Sequence, residues 1–438
     1  MNKTLSIPPQ WQIKKLGEVC LTTSGGTPSR GNKSFYEGKI PWVKSGELNK
    51  GLITETEEKI SEEAIKNSSA KIFPKGTLLI ALYGATIGKL AFLGIDAATN
   101  QAVCGIYKND NIDSNYLYYY LYSKKPSLVK QGIGGAQPNI SQGILKNLEI
   151  PIPPFSEQQA IVSKIEELLS DLENGKRSLQ LAQQQLKIYR QSLFKWAFEG
   201  KLTNKDVIDG ELPKGWKWAK LGMVCNKIQD GSHFSPQVQY DEPGADRYMY
   251  ITAKNIRNDY MDFRKLSFVD KEFHDSIYGR CNPEFGDVLL TKDGVNTGDV
   301  TLNTLKEPFS LLSSVCIFKT KKGELKSEFL KYYIQSPFGS KLISESMTGT
   351  AIKRIILRKI KDALVIIPPL AEQQIIVDEL ESKLTVCNKI EETISQSLLQ
   401  AESLRQSILK KAFEGKLRLN NDSDDFSEKH ELNITTES

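Results

Sequence analysis

Three short arrangements in this sequence hold residue types from which enzymes build reactive centres, and each falls short of what its chemistry requires. Ile152-Pro153-Pro154-Phe155 has the double proline with which amino-methyltransferases hold a target amine, but that motif opens with Asp or Asn, whose side chain accepts a hydrogen bond from the amine. Isoleucine cannot accept one, and the second copy, Ile367-Pro368-Pro369-Leu370, has the same defect. The prolines are predicted instead to end a strand ahead of a helix. Glu199-Gly200-Lys201 and Glu414-Gly415-Lys416 fit the Glu-x-Lys half of a nuclease metal site, but a glycine just past a helix is predicted to act as its C-cap. Gly84-Ala85-Thr86-Ile87-Gly88-Lys89 lacks the spacing of a phosphate-binding loop, and no Phe-x-Gly-x-Gly cofactor loop is present. Six cysteines (Cys20, Cys104, Cys225, Cys281, Cys316, Cys387) form no Cys-x-x-Cys pair, and His233, His274 and His430 stand alone. Neither a metal site nor a disulfide framework is predicted.

What remains is a set of polar loops whose donors suit DNA. Ser24 to Lys33 offers hydroxyls, two cations and backbone N–H groups expected to be free, the donors that phosphates and guanine edges accept. Candidate contacts there are Thr27, Ser29, Arg30 and Lys33, with Lys44 beyond. Tyr83, Thr86, Gln137 and Asn139 are candidates in two further loops. The second half of the chain supplies Ser232, His233, Lys254, Asn255, Lys292, Asn296, Thr350, Lys353 and Arg354. Any one such cluster also reads as a plain turn.

The elements that must position these loops occur twice. FKWAFEGKL from Phe194 corresponds to LKKAFEGKL from Leu409, and PPFSEQQAIV from Pro153 to PPLAEQQIIV from Pro368. Gly76, Gly84 and Gly88 match Gly286, Gly294 and Gly298, and NYLYYYLYS matches EFLKYYIQS. The loops, however, correspond in position and diverge in chemistry, as two readers of two sequences would require. A repeat of this length dictates an α+β architecture: two tandem mixed α/β recognition domains, each followed by a long helix. The boundaries read from the sequence are a first domain over 1–155, a helix over 156–200, a second domain over 201–370, a helix over 371–417, and an acidic disordered tail over 418–438.

Within each domain, residues 77–82 and 287–291 are predicted as buried strands, and 115–123 and 328–336 as short helices. Ser156 is predicted to cap the first long helix, with Gln159 three positions on. A heptad seam then runs through Ile161 and Leu168, interleaved with Ile165, Leu172, Leu179, Leu186 and Leu193. Ile376, Ile390 and Leu404, interleaved with Leu380, Ile394 and Ile408, continue it in the second helix, although Lys383 and Ser397 weaken the first of those series. About 40 residues of helix span about 60 Å, more than a domain of this size, so the two helices are expected to project and pair as an antiparallel coiled coil. Gly175 is expected to mark a bend or a close approach.

Composition agrees with a soluble globular chain: 438 residues, 39% hydrophobic and 25% charged. No signal sequence and no apolar run of spanning length is read, which predicts a cytoplasmic protein. The net charge of +5 conceals a basic body, because residues 420–438 carry six acids against one lysine, a balance of −5 that leaves +10 elsewhere. Such a body suits a polyanion partner without requiring one.

The Pro-Pro-x-x-Glu-Gln-Gln start of each helix and its Ala-Phe-Glu-Gly-Lys-Leu end resemble those of type I restriction-modification specificity subunits, and the likeness runs from about Trp11 to Leu417. The resemblance implies a non-catalytic DNA-binding subunit. Each recognition domain would read one half of a bipartite site, while the helices set the unread spacer and dock two methyltransferase subunits. S-adenosylmethionine, ATP and magnesium would belong to those partners and to the restriction subunits, with no cofactor in this chain. It also implies that Thr27, Pro28, Ser29 and Arg30 lie in a loop common in first recognition domains, from which the second copy departs. Two other readings stay open on the residues alone: a stand-alone nuclease or methyltransferase, and a helical scaffold that binds protein.

Overall fold

A computed structural model describes residues 7–132, 139–204, 206–208, 210–348 and 354–419. The chain divides into two compact units, Met1–Ser178 with Ser397–Ser438, and Leu179–Gln396. Each helix of 44 residues, Phe155–Phe198 and Leu370–Phe413, therefore contributes to both units.

In the first unit a five-stranded sheet runs in the order Thr22–Ser24, Val103–Ile106, Leu78–Ala81, Leu90–Leu93, Leu52–Ile53. In the second, Cys225–Asp230, Val315–Thr320, Val288–Thr291 and Val300–Leu302 repeat the first four positions with the same antiparallel pairing. The strands Leu78–Ala81, Val103–Ile106 and Val288–Thr291 are buried at every position, as central strands covered on both faces must be. A second sheet in each unit contains one parallel pair, Ile40–Val43 beside Ala97–Thr99 and Arg247–Ile251 beside Ser310–Leu311. Each unit is closed by a two-stranded ribbon, Gln12–Lys15 with Glu149–Ile152 and Lys217–Lys220 with Leu364–Ile367. The mixed α/β tandem expected from the sequence is thus built twice on one topology.

The predicted helix over 115–123 extends further, Ser114–Gln131, and keeps Pro126 inside it. In the second unit Ser327–Gln335 stops at Ser336, whose hydroxyl caps a new helix, Pro337–Glu345, with proline in its first turn. Proline suits that position because its missing N–H would be unbonded there anyway.

The long helices start where the prolines predict, but Ser156 is not the cap: the helix begins at Phe155, and the Pro154 carbonyl accepts the N–H groups of Glu157 and Gln158 at 2.9 and 3.0 Å. Pro369 does the same for Glu372 and Gln373. The helices end as glycine C-caps, with Gly200 at φ +80° and Gly415 at φ +68°. A Cβ on Gly200 would lie 2.2 Å from Pro213 Cγ, and one on Gly415 2.3 Å from Pro8 Cγ, so close packing requires glycine as well. Gly175 shows no close approach, since a Cβ there would meet nothing within 4 Å.

The heptad expectation needs a sharper form. Ile161 and Ile165 belong to the core of the first unit, and Leu193, Ile376 and Leu380 to that of the second, so these five pack on the domains. Leu168, Leu172, Leu179 and Leu186 are half-buried, and Ile394 and Ile408 are buried together with Cys387 and Ala401. Ile390 and Leu404, by contrast, are 44% and 51% exposed. Their series also contains Lys383 and Ser397, which a dry seam excludes, and beyond Ile376 the burial follows the other series.

Candidate DNA-recognition loops

Among the described residues, parts of three of the predicted loops come together in each unit. In the first, Ile140 N–H donates to the Leu82 carbonyl at 2.8 Å, Tyr83 bridges to Asn139, and Gln142 Nε2 donates to Ser24 Oγ at 2.5 Å. In the second, Ile355 N–H donates to the Lys292 carbonyl, Asp293 bridges to Arg354, and Lys292 Nζ meets Asp230 at 2.8 Å. The same three backbone positions converge in both units. Asn139, Tyr83 and Arg354 are exposed there. Thr86 and Asn296 are half-buried, and Val295 at the tip of the second turn is fully exposed. Thr86 Oγ1 donates to the Tyr83 carbonyl at 2.7 Å, and Thr297 Oγ1 to the Gly294 carbonyl at 2.6 Å, so hydroxyls fix the two turns alike. Gln137, Thr350, Lys353 and the acidic tail from Asn420 lie outside the described residues.

Ser24 and Asp230 occupy one position, each paired across the sheet with a cysteine, Cys104 or Cys316. The glycines that follow thread between strands: a Cβ on Gly25 would lie 2.1 Å from Thr99 Oγ1, and one on Gly231 2.1 Å from the Leu311 carbonyl oxygen. The N–H groups of Gly25 and Gly26, expected to be free, donate to the Val103 and Thr99 carbonyls at 3.0 and 2.9 Å. They hold the sheet edge and are closed to a ligand.

Beyond them the first loop carries cations. The Arg30 guanidinium lies 4.2 Å from the Tyr36 ring centroid and 5.2 Å from that of Trp42, and ion-pairs with Glu58 at 2.7 Å. Lys44 reaches Glu57 and Glu58 at 2.8 and 3.1 Å. The hydrogen bond from Arg30, with Lys44 adding to it, holds the Glu58 carboxyl below the usual carboxylate range. Arg30 is 55% exposed and oriented, whereas Ser29 and Lys33 are simply exposed. Thr27 is hydrogen-bonded to Gln101, and Asn32 caps the short helical turn Lys33–Tyr36.

Three predicted contacts of the second unit prove structural. Asn255 is buried, accepts from Thr252 N–H and donates to the Asp262 and Lys265 carbonyls at 3.0 and 3.1 Å, which uses its amide to close a turn. Ser232 is buried and brackets Phe234, accepting from its N–H and donating to its carbonyl. Lys292 is buried against Asp230. Lys254 and His233 are exposed, His233 within 3.1 Å of the Asp230 carboxylate. Sequence reasoning did not pick out Asp230 or Arg280, whose NH2 lies 2.8 Å from Asp230. Arg280 follows the helix Lys271–Tyr278, which stands where the shorter helix Glu62–Lys66 stands in the first repeat, but the segments after the two helices share no residue pattern, so no repeat signal points to it.

The motifs that start and end the helices also acquire a physical role. The buried Gln158 side chain accepts from Asp113 N–H at 2.8 Å and donates to the Asn111 and Pro153 carbonyls. Gln373 repeats this with Lys326 N–H and the Glu324 and Pro368 carbonyls. Glu157 accepts from the Trp11 indole at 3.0 Å and Glu372 from that of Trp216 at 2.8 Å. Phe413 stands edge-on to Tyr116 and Tyr120 in the first unit, as Phe198 does to Phe329 and Tyr333 in the second. Each unit is therefore completed by the end of the helix that starts in the other repeat. The cysteines are all buried, and burial pushes Cys20 up to about 11 and Cys104, Cys225 and Cys281 up to about 12, which removes the thiolate a nucleophile needs. Among the described residues no group of three or more His, Cys, Asp and Glu could hold a metal, and no helix is long and apolar enough to cross a membrane.

A fold used twice, with convergent and dissimilar polar loops, defines a tandem recognition protein. The family model for the type I restriction modification DNA specificity domain matches residues 8–183 and again 213–400, and the chain belongs to that family of specificity subunits, which recognise DNA targets. It is 26% identical over 430 residues to the type I restriction enzyme MjaIX specificity subunit of Methanocaldococcus jannaschii, covering 94% of this chain and 95% of that protein. The EcoKI specificity subunit of Escherichia coli K12 is 24% identical, covering 94% and 90%. Among solved structures, the HsdS subunit from Thermoanaerobacter tengcongensis shares the fold with a TM-score of 0.64 at 21% identity, covering 94% of this chain and 98% of that one. A chain from a structural study of assembly and conformational transition in the type I system gives a TM-score of 0.72 at 20% identity, covering 94% and 99%.

Proposed function

We propose that the chain directs a cytoplasmic type I restriction-modification complex to a bipartite DNA site, each repeated unit reading one half. The observation that carries this reading is one scaffold with different chemistry at matched loop positions: Ser24 against Asp230, Leu82 against Lys292, Asn139 against Arg354. A shared scaffold keeps the approach to the duplex, while Asn139 against Arg354 changes the exposed donors and the buried Asp230 and Lys292 change which side chains are held beside them, so that the bases preferred differ.

The two long helices pair antiparallel, set the unread spacer and dock two methyltransferase subunits. Pairing is supported inside the first unit, where Glu173 meets Arg405 and Lys176 lies 3.9 Å from Glu402, so three residues up one helix match three down the other. In the second unit Arg190 reaches Asn388 and Glu391 at 2.5 and 3.0 Å. Such exposed pairs contribute little stability and serve mainly to fix register. Docking is supported by apolar side chains that the helices leave uncovered, Ile188, Tyr189, Trp196, Val386 and Ile390. S-adenosylmethionine, ATP and magnesium act in the methyltransferase and restriction subunits, and this chain carries out no chemistry of its own.

A competition gel shift tests the reading. With its methyltransferase partner, the purified chain is expected to prefer one split duplex over random DNA by about 1,000-fold or more at moderate salt. Equal binding to all duplexes would refute it.

A further inference from the structure

Asp230 is the most heavily engaged carboxylate in the second unit. Its side chain is 3% exposed and takes Lys292 Nζ at 2.8 Å, Arg280 NH2 at 2.8 Å, His233 Nε2 at 3.1 Å and Gln229 Nε2 at 3.0 Å. One negative charge is thus surrounded by two permanent cations and an imidazole, leaving the cluster net positive. Burying a lysine and an aspartate together is tolerable only because each neutralises the other. Lys292 is the hidden member at 10% exposure, whereas Arg280 and His233 are 46% and 53% exposed.

Arg280 is also tied to the Gly231 carbonyl through NH1 at 3.2 Å. A guanidinium has five N–H donors, and these two contacts leave about three without a partner among the described contacts. The group lines an open groove of about 540 Å³ beside Ser235, Gln237 and Phe234. Phe234 is 76% exposed, yet its backbone is clamped on both sides by the Ser232 hydroxyl. An arginine held in one orientation next to an exposed aromatic ring on a clamped backbone is arranged for a ligand with acceptors and a flat or apolar surface. DNA presents both, as guanine edges or phosphate oxygens beside sugars and thymine methyls.

The first unit cannot build this device. Ser24 takes the position of Asp230 and is held by Gln142, and Leu82 takes the position of Lys292.

Resting on the reading that each unit recognises one half-site, we infer that Arg280 is a specificity-determining DNA contact of the second unit and that Asp230 is its positioning residue. Lys292 and His233 belong to the same device, Lys292 from beneath and His233 at the surface. The immobilised guanidinium loses little freedom on binding, so its discrimination is greater than that of a mobile lysine.

The test is selection of bound duplexes from a randomised library, using the complex with its methyltransferase subunits and wild-type, Arg280→Ala, Arg280→Lys and Asp230→Asn chains. Arg280→Ala is expected to melt at the wild-type temperature and to lose about tenfold or more of the preference at one base pair of one half-site, if the acceptor is a base. If affinity for every second half-site instead falls alike and the salt dependence becomes shallower by about one unit, Arg280 holds a phosphate and its specificity-determining role is overturned. Arg280→Lys restores affinity in the phosphate case and not the base preference. Asp230→Asn is expected to reproduce the Arg280→Ala selection profile even where its melting temperature falls. An unchanged selection profile and affinity for Arg280→Ala overturns the inference while the half-site reading stands, as does an equal loss at both half-sites. A wild-type complex that selects no split site overturns the half-site reading, and the inference with it.

Discussion

One buried glutamine joins each long helix to its domain. Gln158 and Gln373 each satisfy three backbone groups of the chain segments around them. Replacing Gln158 with alanine leaves an N–H and two carbonyls without this partner, and is expected to destabilise the first unit by about 1–3 kcal/mol in denaturant melts. The adjacent Gln159 is exposed, and Gln159→Ala is expected to lie within about 0.5 kcal/mol of wild type. Equal effects would show that the motif serves a surface role instead. At this scale the sequence shows that Glu-Gln-Gln is repeated but not which glutamine turns inward, because inward orientation is set by the loops before Asp113 and Lys326. Lys292 and Asn255 illustrate the same limit. Their residue types suit DNA, yet a carboxylate from another strand and two carbonyls from a neighbouring turn claim them first.

The helices were the most legible elements, since proline marks each start within a residue, although the ends read at 200 and 417 lie two and four residues past Phe198 and Phe413. Less legible was what their apolar residues bury against. Ile161, Ile165, Leu193, Ile376 and Leu380 serve the domain cores, and the phenylalanine ending each helix packs among the aromatic residues of a short domain helix. Truncating Phe413 to alanine is expected to remove about 3–5 kcal/mol from the first unit, and Phe198→Ala a similar amount from the second. Hydrogen exchange read separately over residues 78–131 and 288–343 distinguishes the two. Loss of protection confined to the repeat in which the mutated helix starts would contradict the arrangement described. Periodicity alone cannot foresee this, because a heptad pattern states that a face is apolar and not what covers it.

For the whole molecule, duplication was readable from four matched motifs, and both the repeated sheet order and the repeated family match follow from it. Base preference was not readable, because it depends on side-chain orientations that only the folded loops define. The helices of 44 residues, about 66 Å each at 1.5 Å per residue, contribute residues to both units, and on the proposed reading they set the unread spacer. The central claim is that two units of one fold read two separate half-sites. Single-molecule sequencing of methylated adenines, in host cells with and without this chain, tests it most directly. The account predicts one chain-dependent motif of two short sequences flanking a gap of constant length. A chain-dependent motif that is continuous, or a gap that varies from site to site, would contradict it.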